Sequence, residues 1–244
     1  MTDDRAVSRG TPPVPPSARG VFGSRLELAE RYAGLLATDG VVRGLIGPRE
    51  APRLWERHLV NCAVLGELVP LDADVADIGS GAGLPGLVLA IHRPDLRVTL
   101  VEPLLRRTTF LSEVVDALGL ANVEVRRGRA EELHGSRDFG VVTSRAVAPL
   151  PRLLDWSMPL IRTGGLLLAM KGSTAAEEVT AARPDLERWQ ATHVTVLTAG
   201  DGLIDPPTTV VRAVAAGRSQ LGLDPSDNGP RRSPGGRGRK RRGR

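Results

Sequence analysis

The chain has 244 residues, 41% of them hydrophobic, and a formal net charge of +5. This length allows one α/β domain with appendages and a full buried core. A single cysteine, Cys62 in the apolar run 59–65, excludes an intramolecular disulfide and is expected to be a buried structural thiol.

No apolar run approaches the roughly 18 residues of a membrane span, and the polar, proline-rich start lacks the apolar stretch of a signal peptide. We therefore expect a cytoplasmic protein without a membrane partner. Nothing in the pattern indicates an oligomer, so a monomer is expected, and no metal site is predicted.

The first 70 residues divide into a tail and a helical extension. Residues 1–20 hold four closely spaced prolines among small polar residues, and such a segment buries too little apolar area to offset its ordering entropy. We predict that it is disordered. Residues 24–69 carry two apolar stripes at helical spacing. We therefore predict a helical extension over residues 21–70.

From residue 71 to residue 216, strand-like and helix-like segments alternate. The predicted strands are Val75–Ile78, Arg97–Val101, Val123–Arg126, Phe139–Thr143, Gly165–Met170, Val194–Leu197 and Thr208–Val214. The predicted helices are Pro85–Ile91, Leu104–Leu118, Leu150–Pro159 and Ala175–Arg188. This alternation predicts an α/β, Rossmann-like fold with a mostly parallel seven-stranded sheet flanked by helices. The short link between the last two strands predicts an antiparallel hairpin at the sheet edge.

The positive charge lies in the C-terminal tail. Residues 217–244 contain nine Lys and Arg but two Asp, whereas residues 1–216 contain 24 basic and 26 acidic residues. The tail lacks the apolar content of a packed segment and is predicted to be disordered. Two roles stay open for it: attraction of nucleic-acid phosphates, or a solubilising extension.

The glycine-rich stretch Asp77-Ile-Gly79-Ser-Gly81-Ala-Gly83-Leu-Pro-Gly86 follows the first predicted strand. In a doubly wound sheet, ligands bind at the carboxyl ends of the strands. Glycines there accept positive φ angles and let backbone N–H groups approach a ligand. Part of the stretch also matches the dinucleotide pattern G-x-G-x-x-G, so a nicotinamide cofactor is one interpretation.

Two carboxylates favour S-adenosylmethionine instead. Asp77 lies two residues before the first glycine, where it could hold the ammonium of a methionine moiety, and Glu102 ends the second strand, where it could accept both ribose hydroxyls. The sequence thus predicts a cofactor site that includes Asp77, Gly79, Gly81, Gly83 and Glu102.

Further candidates follow from the ends of the later strands. Ala130 and Glu131, after the third strand, lie where an adenine ring would be read. Arg145 and Lys171 follow the fourth and fifth strands, and we predict that both face the methyl group and hold an anionic acceptor. Each of them alone is more typical of a surface charge.

These motifs, with Glu102-Pro-Leu-Leu-Arg-Arg107, Arg129-Ala-Glu-Glu132, Ser144-Arg-Ala146 and Lys171-Gly172, resemble the bacterial small-subunit ribosomal RNA guanine-N7 methyltransferases, once called glucose-inhibited division protein B. The resemblance covers roughly residues 24–215. It implies a class I methyltransferase fold and S-adenosylmethionine as the cofactor. It also implies cofactor contacts at Gly79, Leu84, Ala130, Glu131 and Arg145.

The resemblance further implies that the acceptor is N7 of a guanine in the decoding-region loop of 16S rRNA, presented as rRNA or as the small ribosomal subunit. Since N7 carries a free lone pair, no general base is needed, and Arg145 and Lys171 would act by positioning and electrostatics. The chain departs from the family's usual residues at Asn61-Cys62, where Asp-Ser is frequent, and at Pro103, where Ser is frequent.

Three other functions stay open from the sequence. They are a methyltransferase that acts on another RNA or a small molecule, a nicotinamide-dependent oxidoreductase, and a non-enzymatic rRNA-binding assembly factor.

Overall fold

The computed structural model describes residues 12–217, which contain a seven-stranded sheet. The strands are β1 (Asp74–Ile78), β2 (Arg97–Glu102), β3 (Val123–Arg127), β4 (Phe139–Arg145), β5 (Ile161–Lys171), β6 (Ala191–Ala199) and β7 (Thr208–Ala215). Their order is β3-β2-β1-β4-β5-β7-β6, with β7 antiparallel to both neighbours and the other pairs parallel. The predicted mostly parallel sheet with a terminal antiparallel hairpin is confirmed. Within the hairpin, β7 pairs with β5 and β6 forms the edge of the sheet.

Eight α-helices accompany the sheet in the described part of the chain: α1 (Pro16–Phe22), α2 (Leu26–Leu35), α3 (Asn61–Ala63), α4 (Gly86–His92), α5 (Leu105–Leu118), α6 (Leu150–Ser157), α7 (Ala175–Ala181) and α8 (Arg183–Arg188). A π-helical segment, Leu54–Val60, leads into α3, and a 3₁₀ segment, Val64–Leu68, follows it. A π-helical turn, Leu36–Gly40, continues α2, and short 3₁₀ turns occupy Gly23–Arg25, Ala51–Arg53, Ala130–Leu133 and Met158–Leu160.

Hydrophobic residues cover both faces of the sheet. The sheet has a hydrophobic core on each face, and side chains alternate between the two along a strand. Val75 packs in the core formed with the helical extension, α4 and α5, whereas Ala76 packs in the core formed with α6 and α8. In β4, Val141 packs in the first of these cores and Val142 in the second. The helical extension therefore belongs to one of the two main cores.

The first helix begins within the segment predicted to be disordered. Helix α1 starts at Pro16, whose missing N–H suits a first helical turn, and it buries Ala18 and Phe22. Phe22 packs edge-on against Trp55 at 6.3 Å between ring centroids, and the Trp55 indole N–H donates to the Pro12 carbonyl at 2.9 Å. The disorder prediction is therefore wrong for residues 16–20. Residues 1–11 lie outside the described residues, as do residues 218–244 of the predicted C-terminal tail.

The helix predicted over Ala175–Arg188 is two helices. Helix α7 ends at Ala181, and α8 starts at Arg183 with Pro184 in its first turn. Proline has no N–H to continue the hydrogen-bond ladder of a preceding helix, so the chain breaks here. The other predicted elements are present, with ends that differ by a few residues.

Within residues 12–217, no helix is both long enough and apolar enough to cross a membrane.

Gly86, the first residue of α4, lies too close to its neighbours to carry a side chain. A Cβ at this position would lie 2.4 Å from Cδ2 of Leu100 and 2.7 Å from Oδ2 of Asp77. We expect Gly86→Ala to lower the free energy of unfolding by about 1–3 kcal/mol, the usual cost of overpacking. Chemical denaturation measures this value. Gly20→Ala is the control, because a Cβ there meets nothing within 4 Å; equal losses in both variants would contradict the prediction.

Candidate active site

A cavity of about 760 Å³, the first cavity, opens at the carboxyl ends of β1, β2 and β4. Seven of the ten predicted site residues line it: Gly79, Gly81, Leu84, Glu102, Ala130, Glu131 and Arg145. The other three, Asp77, Gly83 and Lys171, do not. Most of the predicted site residues thus lie together at one cavity, and their contacts with a cofactor stay predictions.

Glu102 fixes the shape of the cavity floor. Its side chain is 1% exposed, and its Oε2 accepts a hydrogen bond from the Gly81 N–H at 3.0 Å while Oε1 accepts one from the Leu104 N–H at 3.0 Å. The Arg107 guanidinium lies 3.4 Å from Oε2. The carboxylate therefore ties the glycine turn to the end of β2 and still lines the cavity.

The glycine turn depends on backbone conformations that favour glycine. Gly79 and Gly81 have φ angles of +71° and +58°. A Cβ on Gly79 would lie 2.9 Å from both methyl groups of Val147, so the turn and the loop after β4 are in close contact. The N–H of Gly79 donates to the Val101 carbonyl at 2.8 Å, which continues the pairing with β2 past the end of β1.

Gly83 serves helix packing. A Cβ there would lie 2.3 Å from Cδ1 of Leu87 and 2.8 Å from the Tyr32 hydroxyl oxygen, and φ is +100°. The buried Tyr32 hydroxyl donates to the Ala82 carbonyl at 2.7 Å. Gly83 therefore lets α2 approach the turn, and the predicted cofactor contact at this position has no support in the geometry.

Asp77 is fully buried beneath the turn. Its Oδ2 accepts a hydrogen bond from the Gly86 N–H at 2.9 Å, and its Oδ1 has no hydrogen-bond partner within residues 12–217. Burial raises the pKa of this carboxyl group to about 7. Asp77 thus holds the start of α4 and does not line the first cavity, and its contact with a methionine ammonium stays a prediction.

Arg145 lies where β4 meets the helical extension. Its guanidinium donates to the Arg57 carbonyl at 3.0 Å and to Sγ of Cys62 at 3.3 Å. Burial raises the pKa of the Cys62 thiol, so this partner stays neutral near neutral pH. Arg145 lines the first cavity and also a second cavity of about 1200 Å³ beside it.

Lys171 lines the second cavity but not the first. Its side chain is 7% exposed, and its ammonium donates to the Ala148 carbonyl at 2.8 Å and pairs with Glu178 at 2.7 Å. Glu178 also accepts the Leu150 N–H at 3.1 Å. The prediction that Lys171 faces the first cavity with Arg145 is therefore wrong, since the ion pair holds its ammonium against the loop after β4.

Several residues of the first cavity were not among the predicted site residues. His58, from the π-helical segment, lines it and shares a 2.9 Å contact between Nε2 and the Glu50 carboxylate. Burial, with the nearby Arg145 charge, lowers the pKa of His58 to about 4, so the ring is neutral at neutral pH. Leu45 and Ile46, from the loop before this segment, form an apolar wall. The residues Trp55-Glu-Arg-His58 are consecutive in the sequence, but their spacing does not reveal that His58 packs beside Arg145 and Glu50.

Residues 25–204 match the family model described as rRNA small subunit methyltransferase G. The chain belongs to this family. A relative named ribosomal RNA small subunit methyltransferase G from a Nocardioides species is 69% identical over 217 residues, which cover 88% of this chain and 86% of the relative. Another of that name, from Thermobifida fusca, is 57% identical over 228 residues, covering 93% and 95%.

Among solved structures, a SAM-dependent O-methyltransferase from Thermotoga maritima has a TM-score of 0.51 at 14% identity and covers 63% of this chain and 64% of its own. This likeness supports the Rossmann-like class I methyltransferase fold. Family membership sets aside the nicotinamide-dependent oxidoreductase. No group of three or more His, Cys, Asp or Glu side chains within residues 12–217 is arranged to hold a metal ion.

The raised pKa of Asp77 predicts a pH-dependent stability. Because the pKa in the folded state, about 7, exceeds the ordinary aspartate value of 3.8, the protonated carboxyl stabilises the fold fully below about pH 4. This contribution is lost as the pH rises to 7. Asp77→Asn cannot titrate, so its unfolding free energy should rise relative to that of the unmodified chain between pH 4 and pH 7.

Urea denaturation across this pH range measures the difference between the two proteins. Asp116→Asn, at an exposed position of α5, is the matched control and should show no such trend. A difference for Asp77→Asn that stays constant from pH 4 to pH 8 would refute the assignment.

Proposed function

We propose that this protein transfers a methyl group from S-adenosylmethionine to N7 of a guanine in the decoding-region loop of 16S rRNA. The observation that carries the proposal is the buried Glu102 carboxylate, which faces the first cavity from the end of β2 and holds the glycine turn opposite. Membership of an rRNA methyltransferase family supports the substrate class.

The first cavity fits the cofactor in size and in chemistry. Its volume of about 760 Å³ lies within the roughly 300–1,000 Å³ of sites for drug-sized ligands. Glu102 would accept the ribose hydroxyls, Gly79 and Gly81 would border the methionine portion, and Ala130 with Glu131 would border the adenine. The bound cofactor supplies a sulfonium methyl group for an in-line displacement.

The acceptor side needs positioning more than proton transfer. Guanine N7 has a free lone pair, so this chain has to orient the base and exclude water. We assign Arg145 to the guanine O6 edge, because a bidentate contact to O6 and N7 would cover the attacking atom. Two of its N–H groups are already fixed by Arg57 and Cys62, which limits the directions in which the others point.

Lys171 acts through the loop after β4 in this proposal. By holding the Ala148 carbonyl and Glu178, it would keep Ala146 and Val147 between the two cavities. It is therefore a positioning residue. The substrate, naked 16S rRNA or a small ribosomal subunit, places the protein in the cytoplasm, where we expect it to act as a monomer.

Mass-spectrometric mapping of N7-methylguanine in 16S rRNA, after incubation with the protein and S-adenosylmethionine, tests the function. Methylation at another atom, or none, would exclude the proposed reaction.

We expect Glu102→Gln to weaken cofactor binding at least about tenfold, because hydrogen bonds to charged groups contribute roughly 1.5–3 kcal/mol. Isothermal titration with S-adenosylmethionine measures this loss. Glu124→Gln, on the exposed part of β3, is the control.

Loss of Lys171 should mainly lower the stability of the fold, whereas loss of Arg145 should mainly slow methyl transfer. Lys171→Met leaves Glu178 and the Ala148 carbonyl without the ammonium, so we expect the free energy of unfolding to fall by about 1–3 kcal/mol. Arg145→Ala should slow methyl transfer by about a hundredfold to a thousandfold, the range for loss of one electrostatic donor in a site, with a smaller loss of stability.

Thermal melts and single-turnover rates, measured on the same preparations, separate the two effects. A Glu178→Gln background provides the control for Lys171→Met, since part of the stability loss should disappear when the partner charge is already gone. Full methylation by Arg145→Ala would remove Arg145 from the proposed mechanism.

A further inference from the structure

The second cavity is larger than the first and shares a wall with it. Its volume is about 1200 Å³, and both cavities are lined by Arg145, Ala146 and Val147. Three parts of the chain surround it: the helical extension, the carboxyl ends of β4 and β5, and the loop before β7. The lining residues used below are Ser17, Arg53, Glu56, Arg57, Ser173 and Asp205.

The shared wall has an unusual backbone. Ala146 has a φ angle of +52° and is exposed to solvent. Residues with a Cβ rarely occupy the left-handed region, and those that do are concentrated at functional sites. Val147, the next residue, packs against the glycine turn, because its methyl groups would lie 2.9 Å from a Cβ on Gly79. This short segment therefore lies between the second cavity and the first.

The cations around the second cavity differ in how far they are already paired. Lys171 pairs with Glu178, and Arg57, with half of its side chain exposed, lies 3.3 Å from Glu50. Arg53 is exposed, and its guanidinium makes no hydrogen bond or ion pair with another side chain of residues 12–217. Two carboxylates, Glu56 and Asp205, also line the cavity, so it is not uniformly positive. Arg53 is thus the cation most available to a ligand.

We propose that the second cavity receives an unpaired RNA strand that carries the acceptor guanine, and that Arg53 contacts a phosphate beside it. The inference rests on the proposed function and adds the entry side and the strandedness of the substrate. In an RNA duplex N7 of guanine faces the major groove, which is too deep and narrow in the A form for protein side chains to enter, so the base has to be unpaired or extruded to reach the shared wall. The helical extension then supplies both the anchor of Arg145, through Arg57 and Cys62, and the phosphate contact.

The salt dependence of binding tests the role of Arg53. The full chain is titrated with 16S rRNA at several salt concentrations, by filter binding. Arg53→Ala should reduce the slope of log K against log salt by about 0.7, the value for one contact to single-stranded nucleic acid, and should leave S-adenosylmethionine affinity unchanged. Arg183→Ala is the matched control, because Arg183 is an exposed arginine of α8 that lines neither cavity. Equal slopes for the two variants would overturn the assignment of Arg53.

The neighbouring carboxylate provides a test of opposite sign. Glu56→Gln removes a negative charge from the same cavity wall and should strengthen rRNA binding, whereas loss of Arg53 weakens it. Weaker binding by Glu56→Gln would argue against phosphate at this wall.

Filling the cavity tests the entry side. Ser173→Trp places a large side chain in the second cavity and should raise the KM for rRNA with no change in cofactor affinity. Thr174→Trp is the control, since Thr174 is exposed, adjacent and outside both cavities. Equal KM values for the two variants would overturn the proposal, as would competition by a fully paired RNA duplex as effective as that by an unpaired oligonucleotide.

The two possible failures are distinguishable. If the unmodified chain neither binds S-adenosylmethionine nor methylates rRNA, the proposed function fails. If the unmodified chain methylates rRNA and these variants change nothing, only the inference about the second cavity fails.

Discussion

The hydrogen bond from the Gly81 N–H to the Glu102 carboxylate joins the exit of β1 to the end of β2, and the geometry of the first cavity depends on it. Glu102 is buried, so the bond forms in surroundings where hydrogen bonds to charged groups are strong and an unpaired carboxylate is costly. The same carboxylate also accepts a hydrogen bond from the Leu104 N–H and pairs with the Arg107 guanidinium. Glu102 also lines the cavity, and in the proposed function it accepts the ribose hydroxyls of the cofactor there.

The helical extension completes the site that the sheet begins. Tyr32 of α2 bonds to the turn at Ala82, and the π-helical segment together with α3 supplies the Arg57 carbonyl and Cys62 thiol that hold Arg145. Asn61, next to Cys62, exchanges hydrogen bonds with Thr208 at the start of β7. The extension is therefore tied to β4, to β7 and to the glycine turn. A sheet without it would leave Arg145 unanchored.

The sequence predicted those parts of the site that depend on neighbours in the chain. The glycine turn follows a strand directly, and Glu102 ends the next strand, so topology alone brings them to one edge. The packing roles of Gly83 and Asp77 were not predicted, because their neighbours, Tyr32 and Gly86, are set by helix packing, which residue spacing does not reveal. Pro16 was read as a sign of disorder, although burial of Phe22 against Trp55 stabilises a helix there.

The two cations at adjacent strand ends show why position in the sheet is not sufficient to assign a role. Lys171 has a carboxylate partner in Glu178, so its charge is largely neutralised within the protein. Arg145 is held by a carbonyl and a thiol, and no carboxylate of residues 12–217 lies within ion-pairing distance of it. Neutral partners fix the orientation of a guanidinium without cancelling its field. Arg145 therefore brings to the shared wall of the two cavities a guanidinium that no carboxylate of the described residues neutralises.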